Sequence, residues 1–152
     1  MALKHKSNEL KISRLYDAPL QAVWDAWTDP EQVARWWGPR GFTLTTHSKD
    51  LRPGGTWVYT MHGPDGTDYK NKSVFKEIIK HKKFVYEHIS GPKFLATVTF
   101  ESRGNQTFLE WHMLFRTKEE FIQTVKTFKA DEGLKQNIAK LNNYLQQRLV
   151  LK

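Results

Sequence analysis

The sequence predicts an α+β fold: a curved antiparallel sheet of seven strands, two short helices after the first strand and a long C-terminal helix. Three observations carry this. Helix starts marked by proline stand at Asp17-Ala18-Pro19 and Thr28-Asp29-Pro30. Turn signals then recur at Pro53-Gly54-Gly55, Gly63-Pro64-Asp65-Gly66, Gly91-Pro92 and Arg103-Gly104-Asn105, each separating segments of strand character. Finally, Leu134, Ile138, Leu141, Leu145 and Leu149 form an apolar stripe of helical period.

Residues 1–8 read as a disordered, lysine-rich tail and 9–152 as a single domain, in keeping with a chain of 152 residues. From Glu9 to Tyr16, Leu10 and Ile12 alternate with polar neighbours, which gives the first strand. Leu20, Val23, Trp24 and Trp27 then share one helical face. In the second short helix Asp29 is the expected N-cap, with Gln32 three residues on as a capping-box partner. The remaining strands are expected at 42–50, 56–62, 68–79, 84–89, 94–102 and 107–116. Their connections are too short for parallel crossovers, so neighbours must be antiparallel. Thr117-Lys118-Glu119-Glu120 is a second capping box, and Asp131-Glu132-Gly133 predicts a break in the last helix near 128–133.

Composition narrows the functions. Lys plus Arg number 24 against 16 Asp plus Glu, a net charge of +8. Such a balance raises nucleic-acid and membrane-surface binding, but Lys70, Lys72, Lys76 and Lys80 sit along one strand and Lys82 and Lys83 in the next turn, as on a solvated sheet face. No specific nucleic-acid recognition is expected. There are no cysteines, which removes disulfides, thiolate catalysis and cysteine-ligated metals. The six histidines show no ligand spacing, so no metal or other cofactor is expected. Without an apolar run of membrane-spanning length, the expectation is a cytoplasmic protein without membrane insertion.

Ala18-Pro19 with Val23-Trp24 and Ala26-Trp27, then Trp36-Trp37-Gly38-Pro39, Arg52-Pro53-Gly54-Gly55, Gly63-Pro64-Asp65-Gly66, Glu77-Ile78, and Glu132-Gly133 with Leu141 together carry a resemblance. From about residue 10 to 149 the chain resembles the START-like, or SRPBCC, superfamily of helix-grip proteins, and within it the bacterial proteins related to the activator of heat-shock-protein-90 ATPase. Ser73 and Leu134 depart from that pattern, where a Gly and often a Trp are expected. The resemblance implies a fold that encloses a ligand between sheet and C-terminal helix. Its name points to a chaperone partner, which no residue here supports independently.

Alternation places Trp57, Tyr59 and Met61 on one sheet face with Asn71, Ser73, Tyr86, His88, Trp111 and Met113. Most could fill a core, yet the hydroxyls, amide and imidazole among them suit a pocket for a small hydrophobic or aromatic molecule. Trp36 and Trp37 are expected at its mouth. The ligand-binding candidates are therefore Trp36, Trp37, Trp57, Tyr59, Asn71, Ser73, Tyr86, His88, Trp111 and Met113. Three functions compete: a small-molecule binding protein, a protein-interaction module, and a cavity-based cyclase or hydrolase. The last ranks lowest, since Tyr86, Glu87 and His88 stand in no diagnostic motif and no catalytic residue is assigned.

Overall fold

The structure, a computed structural model, describes residues 2–6, 8–90 and 93–150. The expected Gly91-Pro92 turn lies outside the described residues. Every expected strand is present: β2 (Glu9–Tyr16), β3 (Thr43–Lys49), β4 (Thr56–His62), β5 (Asp68–Ile79), β6 (Lys83–His88), β7 (Phe94–Arg103) and β8 (Gln106–Phe115). An eighth, β1 (Ala2–Lys6), pairs antiparallel with β2 from Ala2↔Ser13 to Lys6↔Glu9, where the sequence suggested a tail. Lysines suit a solvated tail and an edge strand equally, because a charged edge discourages pairing with foreign chains. All strands join one sheet in the order β1-β2-β8-β7-β6-β5-β4-β3.

Helix α1 (Leu20–Thr28) follows Pro19, whose extended backbone supplies the N-cap position. In α2 (Pro30–Val33) the Asp29 carboxylate accepts from the Glu31 N–H at 3.1 Å and from the Gln32 amide at 3.1 Å. The expected Asp29–Gln32 pair thus meets side chain to side chain rather than through the backbone of the cap. Thr117 Oγ1 accepts from the Glu120 N–H and opens α3 (Lys118–Phe128). The anticipated break falls at Lys129, in the left-handed region at φ 50°, before α4 (Ala130–Val150). No helix among the described residues is long and apolar enough to cross a membrane.

The inner face follows the cross-strand register. Tyr59 opposes Asn71, Ser73 opposes His88, Tyr86 opposes Ala96, and Val98 opposes Trp111. A bulge between Phe75 and Glu77 shifts β5 by one residue, so that Ile78 comes opposite Phe84. Without that extra residue, Ile78 would turn to solvent and the Glu77 carboxylate to the inner face. On α4, Leu134, Ile138, Leu141 and Leu145 are buried, and the Tyr16 hydroxyl donates to the Ile138 carbonyl at 3.2 Å.

The aromatic residues divide the interior in two. Trp24 and Trp27 of α1, with Trp36, Phe84 and Phe100, pack edge-to-face as a closed core; Trp27 and Trp36 centroids are 4.7 Å apart. Beyond Trp37 and Trp111, whose rings lie 5.3 Å apart, the sheet and helices separate. Outside, the basic face is tied by partly exposed Lys76–Glu87 and Lys83–Glu77 pairs.

Candidate functional site

Where sheet and helices separate, a cleft of about 780 Å³ opens. Its floor is the inner face of β4–β8 and its roof is the α3–α4 junction, represented by Thr124, Gly133, Leu134 and Asn137. The segment after α2 closes one side with Trp37, Gly38, Pro39 and Phe42. Asp68, Tyr69 and Lys70 are solvent-exposed and mark the mouth, where Tyr69 and Phe42 face each other at 6.0 Å between centroids.

The loop from Trp36 to Phe42 is held against α4 by side-chain bonds to its backbone. Asn137 accepts from the Gly38 N–H at 3.1 Å and donates to the Trp36 carbonyl at 2.9 Å. Gln136 accepts from the Arg40 N–H at 3.0 Å. Lys140 donates to the carbonyls of Pro39 and Phe42 at 3.3 and 3.2 Å, and partial burial lowers its ammonium pKa. Glycine is favoured at position 38 because its φ is +96°, and a Cβ there would also push aside the Met61 methyl, 2.7 Å away.

Seven of the residues singled out in the sequence line the cleft: Trp37, Tyr59, Asn71, Tyr86, His88, Trp111 and Met113. Trp36, Trp57 and Ser73 lie behind the wall. Trp36 is fully buried and donates its indole N–H to the Ala26 carbonyl at 2.9 Å. Trp57 stacks on Tyr59 at 4.1 Å and lies against Trp37 at 5.1 Å. Ser73, its cross-strand partner, is buried beside the Tyr59 hydroxyl. Period-two alternation finds the correct face but not the distance along it, and Trp37, in the segment after α2, lies over its Trp57 end.

At the mouth side, His88 Nε2–H donates to Asn71 Oδ1 at 2.7 Å, while the Asn71 amide nitrogen donates to the Tyr69 carbonyl at 2.9 Å. This chain fixes the orientation of both side chains, and Phe94 stacks on the His88 ring at 4.9 Å. Deeper in, burial pushes the Tyr59 and Tyr86 phenols well above their usual pKa, opposed at Tyr59 by the nearby Trp37 indole and Ser73 hydroxyl. Proximity to Tyr59 raises Tyr86 further. Both therefore remain protonated donors at neutral pH. The Tyr86 hydroxyl and the Trp111 indole N–H lie close enough to influence one another, yet both are buried and neither completes a hydrogen bond.

Among the described residues, no three His, Cys, Asp or Glu side chains gather where they could hold a metal ion. The roof and lip residues Gly38, Pro39, Phe42, Thr124, Gly133 and Asn137 were not singled out from the sequence as lining residues. Asn137 did carry a signal: it is a polar residue beside Leu134 and Ile138 on an otherwise apolar helical stripe.

No curated protein matches the sequence significantly. Solved structures match its fold over nearly the whole chain. A crystallised protein of Nitrosomonas europaea is 21% identical, over 97% of this chain and 99% of that one, with TM-score 0.86. A protein of Arthrobacter aurescens, solved by NMR, is 25% identical over 96% and 91% of the two chains, with TM-score 0.90. An AHSA1-like protein of Aeromonas hydrophila is 21% identical over 91% and 93%, with TM-score 0.69. The family model of the activator of Hsp90 ATPase homolog 1-like proteins matches residues 17–146. With the helix-grip architecture in place, the chain belongs to that family, within the SRPBCC superfamily.

Proposed function

We propose that this protein binds a small, largely apolar or aromatic molecule in the cleft between the sheet and the α3–α4 roof. The single observation that carries this reading is the division of the interior: a closed aromatic core at one end and about 780 Å³ of aromatic-walled space at the other. Cores approach crystal-like density, so a space of this size beside a well-packed core reads as a site. The aromatic walls supply affinity without directional demands, and the few polar groups orient a ligand.

N-phenyl-1-naphthylamine, a neutral apolar dye, provides the test. Titration should give saturable fluorescence enhancement at one site per chain. Met61→Trp, which adds bulk from a half-buried position on the lining, should weaken binding at least about tenfold while the protein stays folded, since overpacking costs ~1–3 kcal/mol. Non-saturable enhancement, or equal affinity in a folded variant, would refute the proposal.

A further inference from the structure

The segment that closes one side of the cleft is also a weakly tied part of its wall. The floor is a continuous strand ladder, and α4 is anchored by fully buried Ile138 and Leu141. Residues 39–42 have neither support. Arg40 and Gly41 are exposed, Pro39 and Phe42 half-buried, and the segment turns on itself through a bond from the Phe42 N–H to the Pro39 carbonyl at 3.1 Å. Its root is fixed, because buried Asn137 binds the Gly38 N–H and the Trp36 carbonyl. Its tip hangs on Gln136 and Lys140, whose bonds to the loop backbone are exposed or only partly buried. Gly38 at φ +96° and Gly41 at φ +88° stand at the two ends of the turn, where glycine can cross between backbone regions closed to other residues. Local openings draw on such weakly held segments.

Resting on the binding reading above, we propose that residues 38–42 form a gate: ligand enters and leaves when the tip swings away from α4 on Gly38 and Gly41, carrying Phe42 off Tyr69. The mouth requires such a movement. Phe42 and Tyr69 stand 6.0 Å apart between centroids, whereas a flat ring passing between two others needs about 7–8 Å, twice the usual carbon–carbon contact. On its other side the tip meets the β4–β5 turn, where a Cβ on Gly41 would stand 3.3 Å from Pro64, so it is seated by contact and can lift without breaking a strand pair. A gate stands on the way in and on the way out. Locking or loosening it therefore changes both rates by one factor and leaves the equilibrium constant alone, whereas a change in the wall itself alters affinity.

A reversible lock provides the test. A Cβ on Gly133 would stand 3.9 Å from the Pro39 Cβ, within the ~3.5–4.5 Å span of a disulfide, and the chain has no other cysteine to interfere. In Pro39→Cys/Gly133→Cys, stopped-flow fluorescence of N-phenyl-1-naphthylamine should show association and dissociation both slower by about tenfold or more in the oxidised form, since lid opening commonly limits such rates. Dithiothreitol should restore both, with one affinity throughout. Lys140→Met, which frees the tip without touching the cleft lining, should speed both rates by a common factor of about threefold or more. That variant decides the matter alone if the double variant does not fold. Thiols that resist oxidation in the folded protein, equal rates in the oxidised and reduced forms, or a Lys140→Met variant whose affinity shifts while its association rate does not would overturn this inference and leave the binding reading standing. If the wild-type protein gives no saturable dye signal, the binding reading falls and the gate with it.

Discussion

Lys49 shows how one side chain couples the fold to pH. Its ammonium donates to the Trp27 carbonyl at 3.0 Å, near the end of α1, and lies 4.5 Å above the Trp57 ring. Burial pulls its pKa down to about 7 from 10.5, an effect that the nearby Asp29 carboxylate partly opposes. Between those values the unfolded chain holds a proton that the folded one has released, so stability must rise with pH across that window. Below about 7 both states are protonated and the cost of burying the charge is fully present. Urea midpoints should therefore increase from pH 6.5 to 9.5, short of tyrosine ionisation, and Lys49→Met should flatten the slope. A midpoint that falls over this range in the wild type would reverse the argument. Of the seven site residues legible beforehand, all but Trp37 share one property: Tyr59, Asn71, Tyr86, His88, Trp111 and Met113 sit on strands, where alternation reports the face directly. Trp57 and Ser73, cross-strand partners, obey the same alternation, but Trp57 lies against Trp37, a tertiary contact that strand pattern does not encode.

At the scale of elements, the loop between α2 and β3 depends on α4 for its backbone satisfaction. Asn137 is 5% exposed and serves both the Gly38 N–H and the Trp36 carbonyl, so Asn137→Ala strands two buried groups. At ~1–3 kcal/mol for each unpaired group, the loss should be easily measured by denaturant unfolding. Amide exchange should accelerate in 36–42 more than in β7 and β8. Uniform acceleration across the chain would mean that the loop is not the element α4 holds. Strand limits were readable because Gly, Pro and Asn turn signals interrupt alternating segments; β4 and β5 occupy their expected bounds. The edge strand β1 was not, because its lysines carry no apolar alternation that would separate an edge strand from a tail. The cleft roof was equally silent in the sequence: which helical residues overhang a cleft depends on the kink geometry at Lys129, and periodicity alone reports only which face is buried.

For the whole molecule, α4 grips the sheet through side chains that are fully buried. Ile138 and Leu141 have no exposure and Leu145 has 1%. Leu141→Ala should cost ~2–5 kcal/mol, the range for a fully buried leucine whose site relaxes incompletely. A change below about 0.5 kcal/mol, the size usual for surface substitutions, would be incompatible with this packing. Stability therefore rests on the closed end of the domain, and the open end is free to meet a ligand.

The aromatic contacts that divide core from cleft also have an optical consequence. Trp27, Trp36, Trp37, Trp57 and Trp111 form one connected set, with successive ring centroids between 4.7 and 5.5 Å. Excitation migrates readily between indoles at such separations, so light absorbed deep in the core reaches Trp37 and Trp111 before it is emitted. A molecule resting against those two rings would dim the whole set, and the domain carries within its own core an antenna tuned to the occupancy of its cleft.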